Sequence, residues 1–287
     1  MTILVTGATG GLASAVIERF AVLTGEPVVA SGRMERDRVS GASDYARCDV
    51  SDRDAVRALV GRLRPRAVLH LAGSFRNDLT VDTAVNALSA GWIMEALAEA
   101  GCESRVVLIG SAAEYGVIPP GENPVPECRP LRPVSVYGLT KAMQTQIAGY
   151  FAAARGADVV VARLFNVHGP GLSERLFAGR AQRQIDAFAR GEIDRLEFGS
   201  LEAARDYLGL DEAADLIARV FEHGARGEVY NVGSGRPVTM RALLDAMLAR
   251  AGLPDAPVVE RPVEGRAAVI DLPCIYADVA KLGRLPR

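Results

Sequence analysis

The chain has 287 residues, with 33 basic and 35 acidic side chains, a formal net charge of −2 and 49% hydrophobic residues. Such a balance offers no general field for nucleic acid or an anionic membrane, no apolar run approaches the ~20 residues that cross a bilayer, and the N-terminus enters a strand without a basic or apolar leader. A cytoplasmic protein is therefore expected, with no nucleic acid and no membrane as partners. The cysteines, Cys48, Cys102, Cys128 and Cys274, are scattered without a C-x-x-C pair, so reduced thiols are expected and no metal site is indicated.

Ile3-Leu4-Val5-Thr6 reads as a short apolar strand, Gly7-Ala8-Thr9-Gly10-Gly11-Leu12-Ala13 as a glycine-rich turn and residues 14–23 as a helix. Glycines at such a turn let the backbone approach a pyrophosphate at a helix N-terminus, where free N–H groups and the dipole favour an anion. Strand, turn and helix in this order point to a dinucleotide site. A second strand over 27–31 runs into Ser31-Gly32-Arg33. Sites for NAD usually place an acid here to hold the ribose, and that acid repels a 2′-phosphate. Arg33 instead offers a charge-assisted fork, and Arg36 and Arg38 add positive charge interleaved with Glu35 and Asp37, which points to NADP(H).

A helix over 52–63, a buried strand over 67–71, an amphipathic helix over 78–100 and a strand over 106–109 follow. The alternation predicts an α/β fold, a Rossmann-type doubly wound parallel sheet with right-handed crossovers. The strand over 106–109 delivers Ser111 to a strand end, and a helical pattern over 135–154 sets Tyr137 and Lys141 one turn apart on one face. A phenol with an ordinary pKa of about 10 donates a proton poorly near neutrality unless a cation favours its phenolate, and Lys141 can supply that cation. Tyr137 as a packing residue with Lys141 as a surface charge is the plainer alternative.

After a strand over 158–162 the rhythm changes at Arg163. Helices are predicted over 175–190 and 239–251, the latter with Thr239 as N-cap, and 210–222 with 228–232 reads as a return to the sheet. These breaks divide the chain into a dinucleotide-binding domain, 1–163 plus 205–235, and a small discontinuous C-terminal substrate-binding lobe, 164–204 plus 236–287. Substrate is expected between them, at the carboxyl ends of the strands.

Gly7-x-x-Gly10-x-x-Ala13, Asp49-Val50, His70-Leu71-Ala72-Gly73, Asn86, Ser111, Tyr137-x-x-x-Lys141, the run from Arg163 to Gly171 and Arg205-Asp206-Tyr207 together resemble the extended short-chain dehydrogenase/reductases. That family comprises nucleotide-sugar epimerases, dehydratases and reductases, and the resemblance covers nearly the whole chain. It implies that Gly7, Thr9, Gly10, Gly11, Leu12, Arg33, Asp49, Val50, Leu71, Ala72, Gly73, Asn86, Tyr137 and Lys141 hold the cofactor. Where the family's dehydratases carry an acid/base pair, this chain has Ala112 and Ala113; Glu114 falls one position further on, where strand alternation turns it away from substrate. Ala113 also fills the place of the cysteine used for 3,5-epimerisation, which leaves His168 as a loop hydrogen-bonder.

Hydride transfer at a carbonyl remains. The chain is most similar to GDP-4-keto-6-deoxy-mannose reductases and related 4-ketoreductases, through Gly110-Ser111-Ala112, Arg163-x-Phe165-Asn166, Ala181-x-Arg183-Gln184-Ile185, Arg205-Asp206 and Arg261-Pro262-x-Glu264. The resemblance implies that Tyr137 protonates the alkoxide at C4, Ser111 hydrogen-bonds the carbonyl oxygen, and Lys141 lowers the Tyr137 pKa and holds the nicotinamide ribose. It also implies that Ser111, Ala112, Asn166, Arg183, Arg205 and Arg261 contact a nucleotide-diphosphate sugar, although Leu208-Gly209 departs from the His or Asp usual after the Arg-Asp pair. An NAD-retaining 4-epimerase uses the same Ser, Tyr and Lys, and a non-catalytic NADPH-binding regulator shares the fold; both stay open. By the same resemblance a homodimer is expected through a four-helix bundle, using Leu88, Trp92, Ile93 and Leu97 with Met143, Ile147, Tyr150 and Phe151.

Overall fold

The structure, a computed structural model, describes residues 2–34, 39–119, 121–261 and 273–286. Its first half runs β1 (Ile3–Thr6), α1 (Ala13–Thr24), β2 (Val28–Gly32), β3 (Asp44–Arg47), α2 (Arg53–Leu63), β4 (Ala67–His70), α3 (Leu79–Thr83), a π-helical turn (Ala84–Leu88), α4 (Ser89–Glu99) and β5 (Arg105–Ser111). A 3₁₀ turn (Ala112–Glu114) follows, then α5 (Val136–Arg155), β6 (Val159–Leu164), β7 (Asn166–His168), α6 (Phe177–Ala189), β8 (Leu196–Phe198), β9 (Ala204–Gly209), α7 (Leu210–His223) and β10 (Val229–Val232). The tail adds β11 (Pro237–Thr239), α8 (Met240–Arg250), β12 (Val258–Glu260), β13 (Cys274–Ile275) and α9 (Ala280–Gly283).

Seven parallel strands make the main sheet in the order β10-β6-β5-β4-β1-β2-β3. Alternation along β1 shows why both faces must be covered: Ile3 and Val5 enter a core with Ile17 and Phe20 of α1 and Ile217 and Phe221 of α7. Leu4, facing the other way, joins Val60 of α2, Ile93 and Leu97 of α4 and Ala148 of α5. Each such side chain, fully buried, contributes about 1.5–3 kcal/mol, so the helices are fixed to opposite faces as the doubly wound pattern requires. Thr239, expected as an N-cap, accepts from the Ala242 amide, and Asp52 and Ser135 cap α2 and α5 in the same way, from the Asp54 and Ala55 amides and from Gly138.

The remaining strands form smaller sheets, β11-β9-β13 with β7 also on β9, and the pair β8-β12. β9 crosses the expected boundary at residue 205 and hydrogen-bonds into the small sheet. Ile93 and Leu97, expected on a face shared with a second subunit, are 1% and 4% exposed within the main core, whereas Leu88 and Tyr150 are exposed at 40% and 53%. Among the described residues no helix is long and apolar enough to cross a membrane.

Candidate active site

The sheet order reverses between β1 and β4, and the loops beyond these two strands meet there. Gly7 has φ +68°, and a Cβ built on it would stand 2.4 Å from the Ala72 backbone nitrogen, so glycine is what lets the turn lie against the Leu71-Ala72-Gly73 segment. Gly10 donates to the Gly7 carbonyl at 3.1 Å, and Leu12 opens α1 with no side chain capping its first amides. This arrangement fits an anion such as a pyrophosphate, with Thr9 and Gly11 in the same turn.

At the end of β2, Arg33 stands 3.9 Å from the Asp49 carboxylate, both half or more exposed to solvent or nearly so. Burial works against ionisation of Asp49, but the hydroxyl and amide of Ser51, with Arg33 and Arg76, hold it below the ordinary carboxylate range. Val50 is buried beside it. Arg36 and Arg38 lie outside the described residues, as do Pro262 and Glu264.

Asn86 sits in the π-helical turn and is completely buried. Its Oδ1 accepts from the Ser74 amide at 2.6 Å, and its Nδ2 donates to the Ser74 carbonyl and to Thr140 Oγ1, both at 2.9 Å. Asp82 holds the same loop by accepting from Ser74 Oγ at 2.6 Å and from the Arg76 and Asn77 amides. Phe75, between these ties, stacks on Tyr137 with ring centroids 3.8 Å apart and planes inclined by 21°. Arg175 donates to the Phe75 carbonyl. Sequence reasoning missed Phe75 and Arg175, because each lies in an unpatterned loop and acquires its role only from contacts 62 and 100 positions away.

Ser111, Ala112, Ala113, Tyr137, Asn166 and Arg205 converge on one cleft of about 400 Å³, in which Phe75 and Arg175 also participate. Among the described residues that line it there is no Asp, Glu or His. Arg183 and Arg261 are elsewhere: Arg183, on an exposed face of α6, pairs with Glu174, and Arg261 pairs with Glu197 at 3.0 Å.

Two expectations about the charges need correction. Glu114 does not continue the strand alternation, because β5 ends at Ser111 and a 3₁₀ turn begins; the carboxylate turns into the protein and is 0% exposed, paired with Arg163. The second concerns Lys141, whose ammonium donates to the Ile109 carbonyl at 2.7 Å and to Gln144 Oε1 at 2.8 Å. Burial lowers its pKa to about 8, opposed by Glu114. The Tyr137 phenol is pushed up from 10 rather than down, by burial first and by Glu114, against a hydrogen bond from Ser111 that lowers it. The expected depression of the phenol is thus absent in this arrangement, where burial dominates. Beneath Lys141, His70 bridges Thr6 Oγ1 at 2.7 Å and Ser89 Oγ at 2.9 Å, and burial, with Lys141 adding to it, lowers its pKa to about 3.

The chain belongs to the NAD dependent epimerase/dehydratase family, whose model matches residues 3–233. It is 30% identical over 229 residues to the GDP-6-deoxy-D-mannose reductase of Pseudomonas aeruginosa, covering 77% of this chain and 74% of that one. It is also 27% identical over 274 residues to the UDP-glucose 4-epimerase of Mycolicibacterium smegmatis, with 91% and 86% covered. Among solved structures it resembles the Thermus thermophilus UDP-glucose 4-epimerase in complex with NAD, at a TM-score of 0.84 and 27% identity over 99% of this chain and 92% of that one.

Proposed function

We propose that the protein reduces the C4 keto group of a nucleotide-linked 4-keto-6-deoxyhexose with NADPH. The observation that carries this reading is the cleft itself: it presents Ser111 and Tyr137 to a reacting oxygen, and no carboxylate or imidazole among the described lining residues stands ready to take a carbon-bound proton. Elimination of water across C5 and C6 needs such a base; reduction of a carbonyl needs a hydride and one proton. A nicotinamide dinucleotide held at the glycine turn would supply the hydride for the carbonyl carbon. Tyr137 gives its proton to the carbonyl oxygen as that oxygen gains charge, Ser111 donates a hydrogen bond to the same oxygen, and Lys141 would hold the nicotinamide ribose by turning its ammonium from the Ile109 carbonyl and Gln144.

Gly7, Gly10, Gly11 and the first turn of α1 would receive the pyrophosphate, and Arg33 the 2′-phosphate. Asn166 and Arg205 would contact the substrate, with Arg175 added because it lines the same cleft. Arg183 and Arg261 would act only by moving into that cleft. The exposed Leu88, at the end of the π-helical turn that leads into α4, and Tyr150 on α5 support a homodimer through α4 and α5.

The likeness to a UDP-glucose 4-epimerase over 91% of this chain favours a second reading, a 4-epimerase that keeps its cofactor. Incubation with a 4-keto-6-deoxy sugar nucleotide and NADPH, followed by absorbance, separates the two. Stoichiometric NADPH oxidation is the expected result; isomerisation of a nucleotide sugar with no net consumption establishes the epimerase instead.

A further inference from the structure

Glu114 places a carboxylate between the elements that carry the catalytic groups. Its Oε1 accepts from the Ser111 amide at 2.7 Å, while Oε2 accepts from Thr145 Oγ1 at 2.8 Å and from Arg163 Nε at 3.0 Å, with Arg163 Nη2 at 2.9 Å. Those partners sit on three different elements: Ser111 ends β5, Arg163 lies on β6, and Thr145 is one turn beyond Lys141 and two beyond Tyr137 on α5. The packing around it is specific to this carboxylate. A Cβ at Gly110 would stand 2.7 Å from Oε1 and 3.0 Å from Val161 Cγ1, so glycine there is the residue that leaves room. Tyr115 continues the tie, accepting from Arg163 Nη1 at 2.8 Å and donating to Asn231 Oδ1 at 2.7 Å on β10.

We propose, on the reading given above, that Glu114 is a positioning residue, whose buried carboxylate sets the Ser111 strand end in register with the helix that carries Tyr137 and Lys141. It touches no space open to substrate, being 0% exposed, so it acts through other groups. Its charge reaches them as well: it favours the ammonium of Lys141 against burial and opposes ionisation of Tyr137. The other charged or titratable groups facing this cluster are Arg163 from β6, Tyr115 after the turn, Glu127, which acts on Tyr115 and accepts from the Asn231 amide, and His70 from β4. A bland ion pair would stabilise the fold without moving the titration of Lys141 or the geometry at Ser111. A positioning carboxylate changes both, and the two effects separate by substitution.

The chain contains only two lysines, Lys141 and Lys281, so the full protein labelled with ¹³Cε-lysine gives two resolvable titrations by NMR. Lys281, paired with Glu228 at 2.6 Å, serves as the internal control. Glu114→Gln is expected to move the Lys141 midpoint to lower pH and leave Lys281 in place; if that variant does not fold because Arg163 is left uncompensated, Glu114→Gln with Arg163→Gln is used, with the same expectation. Glu114→Asp keeps the charge but is one methylene too short for all three contacts. It is expected to leave the Lys141 midpoint unchanged while kcat falls about 100-fold, the size of a 1 Å misplacement, with NADPH affinity retained. A Lys141 midpoint that does not move in the Gln variants, or a parental kcat in the Asp variant, overturns the proposal. The titration requires no substrate, so failure to turn over any keto sugar would count against the reductase reading and leave this one to be decided by NMR.

Discussion

Gly7→Ala tests the cofactor turn as a piece of covalent geometry. The residue has φ +68°, which in an L residue with a side chain costs roughly 1–2 kcal/mol. The new methyl would also stand 2.4 Å from Ala72 N, 2.5 Å from Ala72 Cα and 2.7 Å from the Leu71 carbonyl carbon. All three are backbone atoms of the segment leaving β4, so no rotamer change relieves the overlap, and forced overpacking typically costs about 1–3 kcal/mol. Together these give a loss of about 2–5 kcal/mol, a large share of the ~5–15 kcal/mol by which native proteins are stable. Urea unfolding can be followed through Trp92, the single tryptophan, which packs from α4 against the core beneath the sheet. The midpoint should fall clearly with the slope unchanged. Parent and variant midpoints within experimental error would refute the close approach of the two loops.

Three further outcomes are expected. Tyr137→Phe removes the acidic hydrogen and keeps the ring stacked on Phe75, so single-turnover NADPH oxidation at saturating substrate should slow by ~10²–10⁴-fold with cofactor affinity nearly unchanged; a near-parental rate removes Tyr137 from the mechanism. Arg33→Asp should weaken NADPH far more than NADH in direct binding measurements, and an equal change in both would leave Arg33 as a surface charge paired with Asp49. Because the pKa of His70 is depressed from 6.5 to about 3 in the folded chain, the unfolded chain binds the extra proton, and the stability due to neutral His70 is full above pH 6.5 and lost as pH falls toward 3. At pH 5 that loss is about 2 kcal/mol, so urea midpoints measured at pH 7 and pH 5 should differ less in His70→Gln than in the parent.

The parallel sheet was legible because its strands are continuous apolar runs buried on both faces, as Val159-Val160-Val161-Ala162 illustrates. β3 was not, since Asp44-Tyr45-Ala46-Arg47 is an edge strand with one buried side chain and carries no such run. At the site, local spacing put Ser111 at a strand end and Tyr137 and Lys141 one helix turn apart, and it was the resemblance to a known family that gave them roles. What failed was anything requiring knowledge of which loop comes over the top. Arg183 shares a helical pattern with cleft-lining Ala178, yet its position on α6 turns it to Glu174 and solvent. The fate of Lys141 likewise depended on Ile109 and Gln144 competing for its ammonium, and the inward turn of Glu114 on a 3₁₀ turn that replaces strand alternation after Ser111.

The π-helical turn at 84–88 has a consequence for how this chain can change length. Helix 79–99 accommodates one residue more than α-helical pitch allows at that turn, and the two side chains that tie down the loop bearing Phe75 are Asp82, just before the turn, and Asn86, within it. Deleting any single residue between them would restore regular pitch, yet rotate one member of the pair about 100° around the helix axis relative to the other. Substitutions here can be compensated by neighbours; a lost residue cannot, because no local repacking restores both angles at once. Descendants of this sequence should therefore tolerate insertions and deletions in the loop after Gly116 long before they tolerate one between Asp82 and Asn86.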